Sequence, residues 1–226
     1  GQAPMTWAMN TWLPSKVCEH FSESRIAAFS TGNVYGLTPL SLGGSMESDP
    51  LNPIGEYAMS ALGRERMFEY FSEAQGIPTS ILRLNYATEM RYGVLVDVAR
   101  AVFEGHPINL GMGSLNAIWQ GDANAMSLLA LEQAQTPAWI VNIAGPEQVS
   151  VRRVAETFGR RMNKKVLLEG EEGPDALLSS GQKSHTLWGY PTVSLDRMLH
   201  WIADWVAEGG ASLNKPTHFE NRAGNF

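Results

Sequence analysis

Cysteine is nearly absent from this chain of 226 residues. Cys18 stands alone, which excludes an internal disulfide and fits a reducing cytosol. Basic residues are a minority, 17 Lys and Arg against 23 Asp and Glu, for a net charge of -6. Nucleic acid and acidic membrane surfaces are therefore disfavoured as main partners, because phosphate groups are held by basic patches. No apolar run approaches the roughly 18 residues that a membrane helix needs. Residues 1–4 show neither the basic nor the apolar part of a signal peptide, and the chain does not begin with Met. The five histidines, His20, His106, His185, His200 and His218, show no metal-ligand spacing, and Cys18 has no cysteine partner, so no metal is expected.

What is present is a 44% hydrophobic chain, long enough to bury a core as one large domain or two small ones. Helical and strand patterns alternate, which predicts an α/β fold. Residues 5–21 read as a helix with a bend or break at Pro14. Residues 25–30, 79–84 and 139–143 read as buried strands of a parallel sheet. Between the first two, residues 36–53 read as a loop. Residues 54–75 read as a long helix with Met59, Leu62, Met67, Phe68 and Phe71 on its apolar side, ended by Gly76 before Pro78. Further helices are predicted at 94–103, 122–133 with Asp122 as N-cap, 150–162 and 195–207, the last capped by Gly209-Gly210. Short strands are predicted at 106–110 and 165–168. The acidic stretch 169–181 reads as a surface loop, and the polar tail 211–226, His218 included, as irregular surface chain.

The most informative run is Phe29-Ser30-Thr31-Gly32-Asn33-Val34-Tyr35-Gly36, followed 26 residues after Thr31 by Tyr57 on the long helix. A Thr at the end of a strand is ordinary, and so is a Tyr on a helix. Together, before the strand carrying Arg83, they favour a site. Removing a hydroxyl proton while hydride leaves for a nicotinamide needs a base. Tyr can serve where a cation lies near, with a Ser or Thr hydroxyl to fix the substrate oxygen.

These residues resemble the active-site half of the extended short-chain dehydrogenase/reductases, the NAD(P)-dependent sugar-nucleotide epimerases and dehydratases. Other landmarks fall in the same order: Asn10 in Ala-Met-Asn-Thr-Trp-Leu-Pro, the segment from Pro50 to Glu65, Ile81-Leu-Arg-Leu-Asn85, Pro107 to Gly113, Ile118 to Ala123, Val141 to Gly145 and Pro191 to Leu195. The resemblance implies a partial doubly wound, Rossmann-like parallel sheet with a small α/β substrate-binding domain. Residues 1–85 and 118–145 would form part of the NAD(P)-binding domain, residues 86–117 and 146–210 the substrate domain, and 211–226 a tail. It implies Tyr57 as acid/base and Thr31 as the group that orients the substrate hydroxyl. Asn10, Ser30, Tyr57, Leu84 and Asn85 would face an NAD or NADP cofactor, and Asn33, Arg91, Asn116 and Trp119 a nucleotide sugar. Arg91 reads equally as a surface-loop residue, and Trp119 also as core. A homodimer and a cytoplasmic location are further expectations of the resemblance.

The chain departs from that pattern in three ways. Ala61 stands where the family carries the Lys after its Tyr. Arg64 lies on roughly the same helix face but about 10 Å along the axis, a distance read as too far to replace it. No G-x-x-G-x-x-G run follows a strand. By the resemblance the chain starts about where a first βαβαβ half would end: either the whole protein has roughly 80 more N-terminal residues, or this shorter form is the product. The leading reading is an atypical epimerase, dehydratase or reductase acting on a nucleotide sugar or similar polar alcohol, this piece being inactive by itself. The rival is a protein of the same fold that binds NAD(P) or a sugar nucleotide without turnover. An RNA-binding relative is disfavoured by the acidic charge.

Overall fold

The computed structural model of the protein describes residues 2–224; Gly1 and the last two residues of the tail lie outside the described residues. Three strands, β1 (Ile26–Thr31), β2 (Thr79–Leu84) and β3 (Trp139–Ile143), form a parallel sheet in the order β1-β2-β3. The central strand β2 is buried from Thr79 to Arg83. Its apolar members are Ile81, Leu82 and Leu84, and Thr79, Ser80 and Arg83 are buried polar ones. Phe29 pairs with Leu82 and Thr31 with Leu84, so the C-terminal ends of β1 and β2 stop at one level.

Between β1 and β2 runs the long helix α3 (Gly55–Gln75), ended by Gly76 at φ 70°. It follows α1 (Ala3–Trp7) and α2 (Leu13–His20). Its buried stripe is Ala58, Ala61, Glu65, Phe68 and Phe71. Met59, expected on that stripe, is exposed. The stripe includes a carboxylate. Glu65 is fully buried and takes a two-pronged hydrogen bond from Arg83 of β2, Nε to Oε1 at 3.0 Å and Nη2 to Oε2 at 2.7 Å. Ser30 donates to the same carboxylate. Arg83 also donates to the Tyr35 hydroxyl (2.8 Å), which donates to Asn142 Oδ1 (2.8 Å). Asn142 in turn donates to the carbonyls of Ser45 and Ser180, and Glu47 Oε1 accepts from its backbone N–H. Buried charge is tolerated because each member finds partners.

Pro14 does not break the N-terminal helix. Between α1 and α2 the segment Ala8–Trp12 forms a π-helix, and Pro14 sits in the first turn of α2, where its missing N–H is least costly. A second core gathers α4 (Val94–Glu104), α6 (Val151–Met162) and α8 (Leu195–Ala207), together with residues 108–117. Helices α5 (Gln120–Leu129) and α7 (Gln182–Trp188) flank β3.

Four local expectations are corrected. Asp122 lies inside α5 rather than at its N-cap, and its carboxylate accepts from Thr192 and Val193. The expected strands at 106–110 and 165–168 shrink and shift to Ile108–Asn109 and Leu168–Glu169, which pair in parallel. Residues 169–181 are not a surface loop: Asp175–Ala176 pairs with Thr38–Pro39, inside the stretch read as loop, and Ala176, Leu177 and Leu178 enter the second core. Likewise the tail is tied down. Phe219 is buried in that core. Thr217 donates to Asp97 Oδ2 through its N–H and its hydroxyl, at 2.7 and 2.6 Å. Arg222 donates to Gly111 O and Asp175 O, both at 3.0 Å, and pairs with the Asp175 carboxylate. Among the described residues no helix is long and apolar enough to cross a membrane, and no group of three His, Cys, Asp or Glu could hold a metal.

Candidate active site

Thr31 ends β1 and serves as N-cap of a short 3-10 helix, Gly32–Tyr35, its side chain accepting from the Asn33 N–H at 3.3 Å. Gly32 passes so close to the end of β2 that a Cβ there would lie 3.0 Å from Asn85 Oδ1 and 2.5 Å from Ser179 Oγ. Tyr57, in the first turns of α3, is 37% exposed. Thr31 and Tyr57 line one cavity of about 610 Å³, together with Ser30, Asn33, Leu84 and Asn85. Tyr86, Ala87, Tyr92, Gly93, Val94 and residues 214–218 also line it. The cavity lies at the C-terminal ends of β1 and β2, where open α/β sheets place their ligands.

Around Tyr57 the electrostatics are specific. Arg64 donates to the Phe29 carbonyl of β1 at 2.6 Å and to Asn10 Oδ1. Asn10 donates to Ser60 Oγ (2.9 Å), which donates to the Tyr57 carbonyl (2.8 Å). Burial lowers the Arg64 pKa, while charge interactions with Tyr57 and then Glu65 raise it. The Cα of Arg64 lies two turns from that of Tyr57. Helical side chains point toward the N-terminus, which shortens the gap that axial rise alone suggests. Ala61 is fully buried against Val34 and Tyr35.

Of the residues singled out by sequence, six meet at this cavity: Ser30, Thr31, Asn33, Tyr57, Leu84 and Asn85. The Ser30 hydroxyl is engaged by Glu65. Asn10 stands behind the site through Ser60 and Arg64 rather than on its wall. Three others are elsewhere. Asn116 is buried, accepts from Asn85 Nδ2 at 2.6 Å and donates to the carbonyls of Gly145 and Ser179; its amide is spent tying loops together. Trp119 packs edge-on against Trp201 at 5.4 Å, in the core. Arg91 is exposed, pairs with Glu89 at 3.1 Å, and lines a neighbouring cavity of about 600 Å³. Sequence reasoning missed Tyr86, Tyr92, Lys215 and His218 on the wall of the site. Phe219, an aromatic inside a polar tail, was the available signal that this segment docks.

No family model matches the chain, and no curated protein matches it in sequence. Solved structures do match in fold. The UDP-glucose 4-epimerase of Thermus thermophilus, solved with NAD, is similar with a TM-score of 0.71 and 20% identity, over 84% of this chain and 66% of that one. A UDP-glucuronic acid 4-epimerase from Bacillus cereus, also with NAD, gives 0.75 and 21%, over 88% and 65%. The dTDP-glucose 4,6-dehydratase of Bacillus anthracis str. Ames, again with NAD, gives 0.74 and 16%, over 89% and 68%. The chain therefore spans just under two thirds of the first two, and the common architecture is a Rossmann-like α/β fold.

Proposed function

We propose that this chain carries the catalytic and substrate side of an NAD(P)-dependent epimerase, dehydratase or reductase acting on a nucleotide sugar or similar polar alcohol. The carrying observation is that Thr31 and Tyr57 line one cavity at the ends of β1 and β2, beside Asn85. That wall suits the nicotinamide end of the cofactor, with Leu84, Asn85 and Tyr57 as the residues that would hold it. For the diphosphate end, no glycine-rich turn follows a strand in this sequence, so that part of the binding would need sequence beyond these residues. When bound, the cofactor supplies the hydride acceptor. Tyr57 takes the hydroxyl proton, and Thr31 fixes the substrate oxygen in line with it. Arg64, held by Asn10 and the Phe29 carbonyl, supplies the nearby positive charge that Ala61 cannot. Residues 1–85 and 118–145 would form the cofactor side, and 86–117 with 146–210 the substrate side; a cytoplasmic homodimer belongs to the same reading.

Conversion of a nucleotide sugar with NAD or NADP, in the protein carrying the sequence that supplies the diphosphate-binding turn and followed by separating substrate from product, tests it. Tyr57→Phe is expected to slow turnover about 100-fold or more, and unchanged turnover would remove Tyr57 from the chemistry. Ala61 favours a second reading, a protein that binds the same ligands without converting them. In that case Ala61→Lys would leave the protein silent, whereas a decayed enzyme would gain rate.

A further inference from the structure

Residues 210–224 leave α8 and run past the Tyr57 cavity without forming a helix or strand. The run is fixed along its length. At its start the Trp205 Nε1–H donates to the Ala211 carbonyl at 2.9 Å, and the Leu213 N–H donates to the Arg91 carbonyl at 3.1 Å. In its middle Thr217 is tied to Asp97 on α4, and residues 214–218 line the cavity of Thr31 and Tyr57. At its end Gly224 crosses Gly55, which lies two residues before Tyr57. The two glycines hold φ 70° and 81°. A Cβ on Gly55 would strike the Gly224 backbone, and one on Gly224 would strike the Ile54 carbonyl. Only residues without a side chain allow this crossing.

This segment is held more lightly than the walls it touches. Of residues 210–224 only Phe219 is buried, whereas α4 buries Val94, Leu95, Val96, Val98, Ala99 and Val102. Asn214 and His218 sit at φ 50° and 51°, in the left-handed region that costs energy for residues with a side chain. Hydrogen bonds and the Arg222–Asp175 ion pair supply the remaining ties, and such ties add little net stability where water can replace them. A segment with one buried anchor, no regular structure and a strained backbone belongs to the part of a protein that opens at less cost than the whole.

We propose that residues 211–224 are a strap that opens as a unit with its Phe219 anchor and so gates the cavity of Thr31 and Tyr57. Shut, it walls the cavity and holds the start of α3 at Gly55. Open, it uncovers Tyr57. A ligand in the cavity touches the strap only when the strap is shut, so it would hold the strap shut. The gate regulates the site of the function proposed above and rests on that reading for its purpose, but its test is made without substrate.

Hydrogen exchange read by mass spectrometry, together with nitration by tetranitromethane, tests the strap in the whole protein. Peptides of residues 211–224 should exchange at one common rate, faster than those of α4. Phe219→Ala should speed their exchange about tenfold or more, the scale of losing a buried aromatic anchor, and Phe219→Leu should recover most of the protection. Nitration of Tyr57 should rise in step with strap exchange, while Tyr70 and Tyr190, both exposed, serve as unchanged internal standards. Phe219 also packs in the second core, so Gly224→Ala supplies a variant that leaves that core alone. It should loosen the strap at Gly55 and raise Tyr57 nitration in the same way. Strap protection equal to that of α4, a loosened strap with Tyr57 nitration unchanged, or no change of either kind in Gly224→Ala would overturn the gate. A protein that gates in this way but converts no nucleotide sugar would refute the catalytic reading and leave the strap standing.

Discussion

Two tyrosines, Tyr35 and Tyr57, lie in neighbouring segments and meet opposite fates. Tyr35 is buried, and its hydroxyl both accepts from Arg83 and donates to Asn142. Burial is the main cause that pushes its pKa up to about 12. Around it every strong polar group finds a protein partner: Glu65, Arg83, Asn142 and Ser30. Tyr57 stands instead on the wall of a cavity, 37% exposed, near Lys215, which forms no ion pair among the described residues. A closed polar network holds elements together, and a cavity wall leaves room for a ligand. The fold puts both at the same sheet, one inside it and one at its C-terminal edge.

The comparison can be broken first at the closed network. Glu65→Ala should cost about 3–5 kcal/mol of stability, because it strands Arg83 in the core; chemical denaturation measures it, and a loss below about 1 kcal/mol would mean that water enters freely. Next comes Tyr57→Phe, with the turnover loss stated above and a melting temperature close to that of the parent, since the residue is partly exposed and its ring is kept. Tyr35→Phe should do the reverse, costing about 1–3 kcal/mol through the unpaired Asn142 and Arg83, with catalysis intact in the folded fraction. Arg64→Ala should lower turnover more than stability, and Arg64→Lys should recover part of it if positive charge beside Tyr57 is what counts.

The smallest effect is at Asp97, whose pKa burial raises despite its hydrogen bonds from Thr217. Its contribution to stability is fully present below the ordinary Asp range near 3.8 and is lost as pH rises through the raised folded value. Asp97→Asn should flatten that part of the stability-pH curve. A steeper curve in the variant would assign the slope to other groups.

Much of the sheet is legible from sequence, because β1, β2 and β3 are parallel strands rich in apolar residues; β1, expected to be buried, is buried only at Ala28 and Ser30, and its Phe29 is exposed. The Thr31–Tyr57 pairing is legible from spacing, since strand, crossover helix and strand fix where both must emerge. Other features are hidden by composition. Residues 169–181 look acidic, yet Ala176, Leu177 and Leu178 carry the segment into the core. The tail looks polar, yet Phe219 and the Thr217–Asp97 bonds seat it on α4 and bring Lys215 to the site. Asn116 and Trp119 fall away from the expected site because order along the chain does not say which way a side chain turns. Arg64 is spent on the Phe29 carbonyl and Asn10 Oδ1, partners that its place along the helix does not reveal.

The most direct test sets Tyr57→Phe beside Tyr35→Phe, measuring turnover of a nucleotide sugar per folded molecule with NAD or NADP present. The account predicts that Tyr57→Phe loses about 100-fold or more while Tyr35→Phe stays near the parent. Equal rates in the two variants would contradict it and leave the cavity of Thr31 and Tyr57 as a binding site alone.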